Sequence, residues 1–170
     1  MNILQAAESG LRWLVLDLNS FFASCEQQED PALRGLPIAI APMLSDSTCA
    51  IAASYPAKVH GIKTGTPIYE AKRLCPNLRV VVARHKLYVA YHHRIVAAIN
   101  DRIPIAETLS IDEVSCRLDR GETTPEAATA LAKRIKQSIR DQVGECMTSS
   151  IGIASNILLA KLASDMQKPD

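Results

Sequence analysis

Three carboxylates stand where carboxylates are costly. Asp17 closes the apolar run Trp13–Leu18 (WLVLDL), and Asp112 and Glu113 sit side by side inside the alternating segment 106–118 (AETLSIDEVSCRL). A charge at the end of a buried strand raises the free energy of folding unless something pairs with it. If the strands that carry these acids are neighbours in one sheet, the three converge on one patch and repel one another. A hard divalent cation relieves that repulsion, and Mg²⁺ held by a few carboxylates plus substrate phosphates is the usual arrangement at phosphoryl- and nucleotidyl-transfer sites. Spacing alone leaves a plainer reading open, in which these are separate loop-end acids facing water.

Other candidates are weaker. Phe21 and Phe22 are the only phenylalanines in the chain, and adjacent side chains on a helix point in different directions, so they need not share a task; both belonging to the core is the plain alternative. Tyr55 and Lys58 lie three apart across the start of a short helix, where they and the helix amides could hold a phosphate. A solvated lysine and a half-buried tyrosine would look the same. His92 and His93, consecutive on a helix, cannot face one metal and read as surface or boundary residues. His60, His85 and the cysteines receive no chemical role.

The elements that must position these residues follow from periodicity and punctuation. Trp13–Leu18 reads as a buried strand, followed by a helix from about Phe21 to Gln28 that stops at Asp30-Pro31. Segments 36–41 (LPIAIA), 49–54 (CAIAAS) and 78–83 (LRVVVA) read as strands, with short helices near 56–60 and 67–74. Two longer helices have clear apolar stripes: Tyr88, Tyr91, Ile95 and Ile99 in one, and Ala128, Leu131, Ile135 and Ile139 in the other. Thr124-Pro125-Glu126 supplies an N-cap and first turn for the second. Segment 106–118 reads as a hairpin centred near Asp112-Glu113, residues 147–154 as the last strand and residues 156–166 as the last helix. Helices layered against a mostly antiparallel sheet is the economical packing, an α+β fold.

Composition excludes several classes. The 170 residues carry 19 basic and 18 acidic side chains, a formal charge of +1, so the whole chain does not announce a nucleic-acid binder. The average conceals a basic block: residues 56–100 hold eight basic residues and one acidic, while residues 1–55 hold two and six. Five scattered cysteines without a C-x-x-C pair argue against a disulfide framework or a structural zinc site and suit a reducing compartment. No basic-then-apolar leader opens the sequence and no apolar run of about 20 residues is present, so a cytoplasmic protein without a membrane partner is expected. There is no P-loop, G-x-G-x-x-G, H-E-x-x-H or G-x-S-x-G motif.

Four strings now align in order: DLNSFFASCEQ (17–27), ASYPAKVHGIKTGTPIYEAKRLCP (53–76), LSIDEVS (109–115) and SIGIASNILLAKLASDMQKPD (150–170). Together they resemble the Y-family translesion DNA polymerases of the DNA polymerase IV type, from Trp13 to Asp170. The resemblance implies a palm over 1–19 and 86–170, with a four-stranded sheet backed by helices, and a small α/β fingers unit over 20–85. Asp17, Asp112 and Glu113 match the acids that hold two Mg²⁺ ions, for which Mn²⁺ can substitute, and the Leu18 carbonyl matches a further ligand. Phe22 matches the steric gate that excludes a 2′-hydroxyl, and Phe21 lies in the backbone stretch that meets the triphosphate. Tyr55, Lys58 and Lys168 match positions that bind the β- and γ-phosphates. The implied substrates are a deoxynucleoside triphosphate and primer-template DNA. Family members continue into a thumb and a basic little finger, which this sequence does not include; a sliding clamp is the partner implied for that part, and nucleoid association the implied location.

The departures from the family pattern are local. Where members read S-T-A-S-Y-E-A-R, this chain reads IAASYPAK, placing Ala52, Pro56 and Lys58 at the threonine, glutamate and arginine positions. Lysine keeps the charge of arginine but loses its bidentate fork, so nucleotide binding is expected to be weaker or differently shaped. Ile157 replaces a common lysine. Two other readings stand beside the polymerase. One is a non-catalytic accessory homologue that binds a nucleotide or partner, against which the intact acids count. The other is a palm-fold nucleotidyl cyclase, whose Gly-Gly-acid turn is replaced here by Ser110-Ile111-Asp112-Glu113.

Overall fold

The computed structural model describes residues 10–169, so Asp170 and the first nine residues of the expected 1–19 palm range lie outside the described residues. In chain order the elements are β1 (Trp13–Leu18), α1 (Phe21–Glu29), β2 (Ile38–Ala41), β3 (Ala52–Ala53), α2 (Tyr55–Lys58), α3 (Ile68–Leu74), β4 (Arg79–Val82), α4 (His85–Asn100), β5 (Ile105–Thr108), β6 (Glu113–Arg117), α5 (Pro125–Gln142), β7 (Ser149–Ala154) and α6 (Ile157–Met166). Short 3₁₀ turns occupy Pro31–Leu33 and Arg120–Glu122. The chain divides into two compact units, one of β1 with everything from Tyr91 onward and the other of Ser20–Ala90.

The first unit is built on a four-stranded sheet in the order β5-β6-β1-β7, every pairing antiparallel. The run WLVLDL is apolar on both faces because β1 is an interior strand, with Leu14, Val15 and Leu16 almost wholly buried. Register places Val15, Ser115 and Gly152 side by side, and Asp17, Glu113 and Ser150 one pleat along on the same face. On α5 the expected stripe is the buried one, Ala128, Leu131, Ile135 and Ile139. Its N-cap also forms as expected, with Thr124 Oγ1 accepting from the Ala127 amide at 3.3 Å. Ser138 Oγ donates to the Ala98 carbonyl at 2.9 Å and ties α5 to α4.

The second unit has a three-stranded sheet, β3-β2-β4, with β2 and β4 parallel and β2 and β3 antiparallel. Its core is assembled from small residues, among them Ala39, Ala41, Ala53, Ala57 and Ala71, around Ile62 and Ile68. The expected strand over 49–54 contracts to Ala52–Ala53. Its first half leaves the ladder because the Ala50 amide donates to Thr66 and the Ala50 carbonyl accepts from Gly65, both at 2.8 Å. Buried Ser54 then stitches the sheet, its hydroxyl donating to Leu36 O at 3.0 Å and accepting from Ile38 N at 2.9 Å.

Gly152 decides how α6 docks. A Cβ at this position of β7 would run into the backbone of Ala160, Ala163 and Ser164, so only glycine allows the helix to lie flat on the strand. Accordingly, Gly152→Ala should lower the unfolding free energy read from a urea transition by roughly 3 kcal/mol, at the upper end of overpacking costs. Gly121→Ala, where a Cβ meets open space, should stay within about 0.5 kcal/mol of wild type. Equal midpoints for the two variants would contradict this docking.

Candidate active site

The end of β1 gathers the acids through backbone pairing. Asp17 and Glu113 are direct cross-strand partners, so their side chains emerge from the same face. Asp112 precedes β6 rather than interrupting a strand, and its carbonyl accepts from Leu18 N at 2.9 Å. The 109–112 turn is closed by its own residues. Leu109 N and Ser110 N both donate to the Glu113 carbonyl, and Ser110 Oγ donates to Asp112 Oδ1 at 2.6 Å. From α4, His92 Nδ1 donates to Ile111 O at 2.8 Å and pins the turn from outside. Beyond Leu18, the Asn19 amide donates to Thr148 O, and Ser150 Oγ donates to Asn19 Oδ1, each at 2.9 Å.

Two lysines answer the acids. Lys161 Nζ donates to Glu113 Oε2 at 2.7 Å, and Lys168 Nζ bridges Asp17 Oδ2 at 2.8 Å and Asp165 Oδ1 at 2.7 Å. Burial pushes the Asp17 carboxyl above its ordinary range; the Lys168 bond opposes this, and the charges of Asp112 and Glu113 add to it. The bond to Glu113 holds Lys161 above the usual lysine range. Partial burial pulls Lys168 down, but its bonds to Asp165 and Asp17 outweigh that and hold it above as well. Glu113 is only 8% exposed, and its other oxygen, Oε1, is buried without a hydrogen-bond partner.

These residues bear on the expected metal directly. Among the described residues, no three His, Cys, Asp or Glu side chains are drawn together closely enough to hold an ion. The strands are neighbours, as the convergence required, and two of the acids are each held by a lysine of their own, Glu113 by Lys161 and Asp17 by Lys168. The donor set still fits a hard cation: three carboxylates at one strand end, a buried orphan oxygen, and like charges directly opposed across a ladder. Lys161 is the residue that sequence reasoning passed over. The only local signal was Lys161 and Asp165 at i and i+4 on α6, which does not point to Glu113, 48 residues away.

The remaining candidates lie in the second unit. Ser20, before α1, holds a left-handed backbone at φ 48°, sparsely populated for a non-glycine residue. Phe21 follows it into the core, whereas Phe22 stays partly exposed and stacks on Tyr88 at 4.5 Å between ring centroids. Lys58 Nζ lies 4.6 Å over the Tyr55 ring, so these two share a surface. Pro56 occupies the first turn of α2, where no amide hydrogen is needed. His85 packs edge-on against Tyr88 at 6.2 Å. Cys25 and Cys116 are buried thiols, the latter pushed up to about 12 by desolvation.

Known proteins resemble the chain over most of its length. A model of the impB/mucB/samB family matches residues 16–165. DNA polymerase IV of Moorella thermoacetica is 42% identical over 159 residues, covering 92% of this chain and 39% of that protein. DNA polymerase IV of Alkalilimnicola ehrlichii is 36% identical over 155 residues, covering 91% and 43%. Among solved structures, DinB from Sulfolobus solfataricus superposes with a TM-score of 0.84 at 31% identity, over 93% of this chain and 46% of that one. An insertion ternary complex of Dbh DNA polymerase matches with the same figures. The chain spans about two fifths of the length of these curated relatives. With its α+β architecture and a family match over nearly its whole length, the chain belongs to the impB/mucB/samB family of Y-family polymerase domains.

Proposed function

We propose that this chain is the palm and fingers of a template-directed, error-prone DNA polymerase that extends a primer past damaged bases. The observation that carries the reading is the direct opposition of Asp17 and Glu113 beside Asp112, with Glu113 Oε1 buried and unpartnered. The proposed palm is 1–19 with 86–170, and the proposed fingers are 20–85. Asp17, Asp112, Glu113 and the Leu18 carbonyl would hold two Mg²⁺ ions, with Mn²⁺ as a substitute. When bound, these ions supply activation of the primer 3′-hydroxyl and neutralisation of the leaving pyrophosphate.

The chain's own groups do the rest. Lys161 holds Glu113 and Lys168 holds Asp17, and each cation is able to turn to substrate phosphate when its carboxylate takes another partner. Lys168, Tyr55 and Lys58 are the proposed contacts of the β- and γ-phosphates, and the backbone at Phe21 is a proposed triphosphate contact. Phe22 is the proposed gate against a 2′-hydroxyl. Primer-template DNA, a deoxynucleoside triphosphate and, for the whole protein, a sliding clamp are the proposed partners, at the nucleoid in the cytoplasm. Among the described residues no helix is long and apolar enough to cross a membrane.

Titration calorimetry tests the reading. The chain should bind a deoxynucleoside triphosphate only with Mg²⁺ or Mn²⁺, and Asp112→Ala should abolish the metal dependence. Undiminished Mg²⁺-dependent binding by that variant would overturn the two-metal assignment. Phe22→Ala should erase the preference for deoxy over ribo sugars; an unchanged preference would remove the gate.

A pH series tests the strain at Asp17. Its carboxyl is raised in the folded state above the ordinary value of 3.8, so its contribution to stability is present below that value and is lost as pH rises through the folded value. Asp17→Asn should therefore gain in melting temperature relative to wild type from pH 3.5 to pH 7, conditions set by that window. Mg²⁺ at a hundredfold excess over its Kd should stabilise the wild type by about 2.7 kcal/mol and leave Asp17→Asn nearly unmoved. A melting difference independent of pH would count against the buried-acid account.

A further inference from the structure

Glu26 is an acid with no place in the mechanism above, yet it is almost completely buried. It sits four residues after Phe22, on the same face of α1. Tyr88, with no exposed surface, donates its hydroxyl to Glu26 Oε1 at 2.8 Å, while its ring stacks on Phe22 with only 17° between the planes. Arg84 Nε lies 3.1 and 3.0 Å from the two Glu26 oxygens. The acid thus grips two residues four apart at the start of α4, and the Tyr88 amide bonds back to Arg84 O at 3.2 Å.

Glu26 is buried but Arg84 is half exposed, and desolvating a carboxylate for a partner that stays in water is a poor way to gain stability. What this one supplies is orientation. Tyr88 is held at both ends, by its hydroxyl and by its ring face, and Phe22 has one flat wall to lie on two residues after the left-handed Ser20. Burial and the bond to Glu26 also hold the Tyr88 phenol well above its ordinary range, so it remains a donor throughout physiological pH.

We propose that Glu26 is a positioning residue for sugar selection: it fixes the Tyr88 ring on which Phe22 stacks and so sets where the Phe22 edge stands. This rests on Phe22 being the sugar gate. Glu26 does not touch nucleotide; it acts through one hydrogen bond and one ring contact.

The test measures, by calorimetry with Mg²⁺, the affinity of the 170-residue chain for a deoxy- and a ribonucleoside triphosphate of the same base. Tyr88→Phe keeps the ring and deletes the bond; it should reduce the deoxy-over-ribo ratio about tenfold, the lower end of the scale for one hydrogen bond to a charged group. Glu26→Ala should do the same, and Tyr88→Phe reads the bond from its other end if Glu26→Ala does not fold. In a Phe22→Ala background, Tyr88→Phe should leave the ratio where Phe22→Ala alone puts it. A ratio unmoved by Tyr88→Phe but collapsed by Phe22→Ala overturns the role of Glu26 and leaves the gate standing. Equal weakening toward both sugars, with the ratio unchanged, overturns it too. A ratio unmoved by Phe22→Ala, or a wild-type chain without sugar preference, overturns the gate and this proposal together.

Discussion

The structure depends on one unfavourable interaction, the opposition of Asp17 and Glu113 across the β1–β6 ladder, half out of water. Like charges placed directly opposite on paired strands repel, and desolvation sharpens the repulsion. Much of the first unit serves to hold that arrangement. β1 is an interior strand, so its backbone cannot swing Asp17 away. The 109–112 turn is locked by Ser110 from within and by His92 from α4, which fixes where β6 begins. Gly152 lets α6 lie directly on the sheet, and that close approach brings Lys161 to Glu113.

A protein selected for stability alone would not keep this patch. Its cost is offset by separate lysines, Lys161 at Glu113 and Lys168 at Asp17, rather than by one shared partner. Such concentrated strain against a rigid scaffold is the usual form of the trade between stability and activity. The buried Glu26 of the second unit follows similar logic at smaller scale. There a fork from Arg84 satisfies the charge, and the hydroxyl of Tyr88 uses the remaining acceptor capacity.

The alanine-rich core of the second unit shows why small elements are hard to read from sequence. Alanine carries little hydrophobic contrast between faces, so segment 49–54 looks like one strand although only Ala52–Ala53 pairs. The competing partner of Ala50 is the 65–66 loop, about fifteen residues away, and no local pattern announces that choice. The long helices presented no such difficulty. The stripes of α4 and α5 repeat over several turns, and the side chains they mark are the buried ones.

By itself, the sequence determined the element types with long periodicity, the α+β class, the family resemblance, and which acids were expensive enough to need explaining. Those properties depend on local spacing and on the cost of charge in an apolar run. Only the tertiary structure decided that Asp17 faces Glu113, that Lys161 is the partner of one and Lys168 of the other, and that Glu26 reaches across to Tyr88. Each of these joins residues far apart in the chain, 48 apart for Lys161 and Glu113 and 62 apart for Glu26 and Tyr88. Their meeting is set by sheet register and by how closely α6 can approach β7, neither of which any local window of residues encodes.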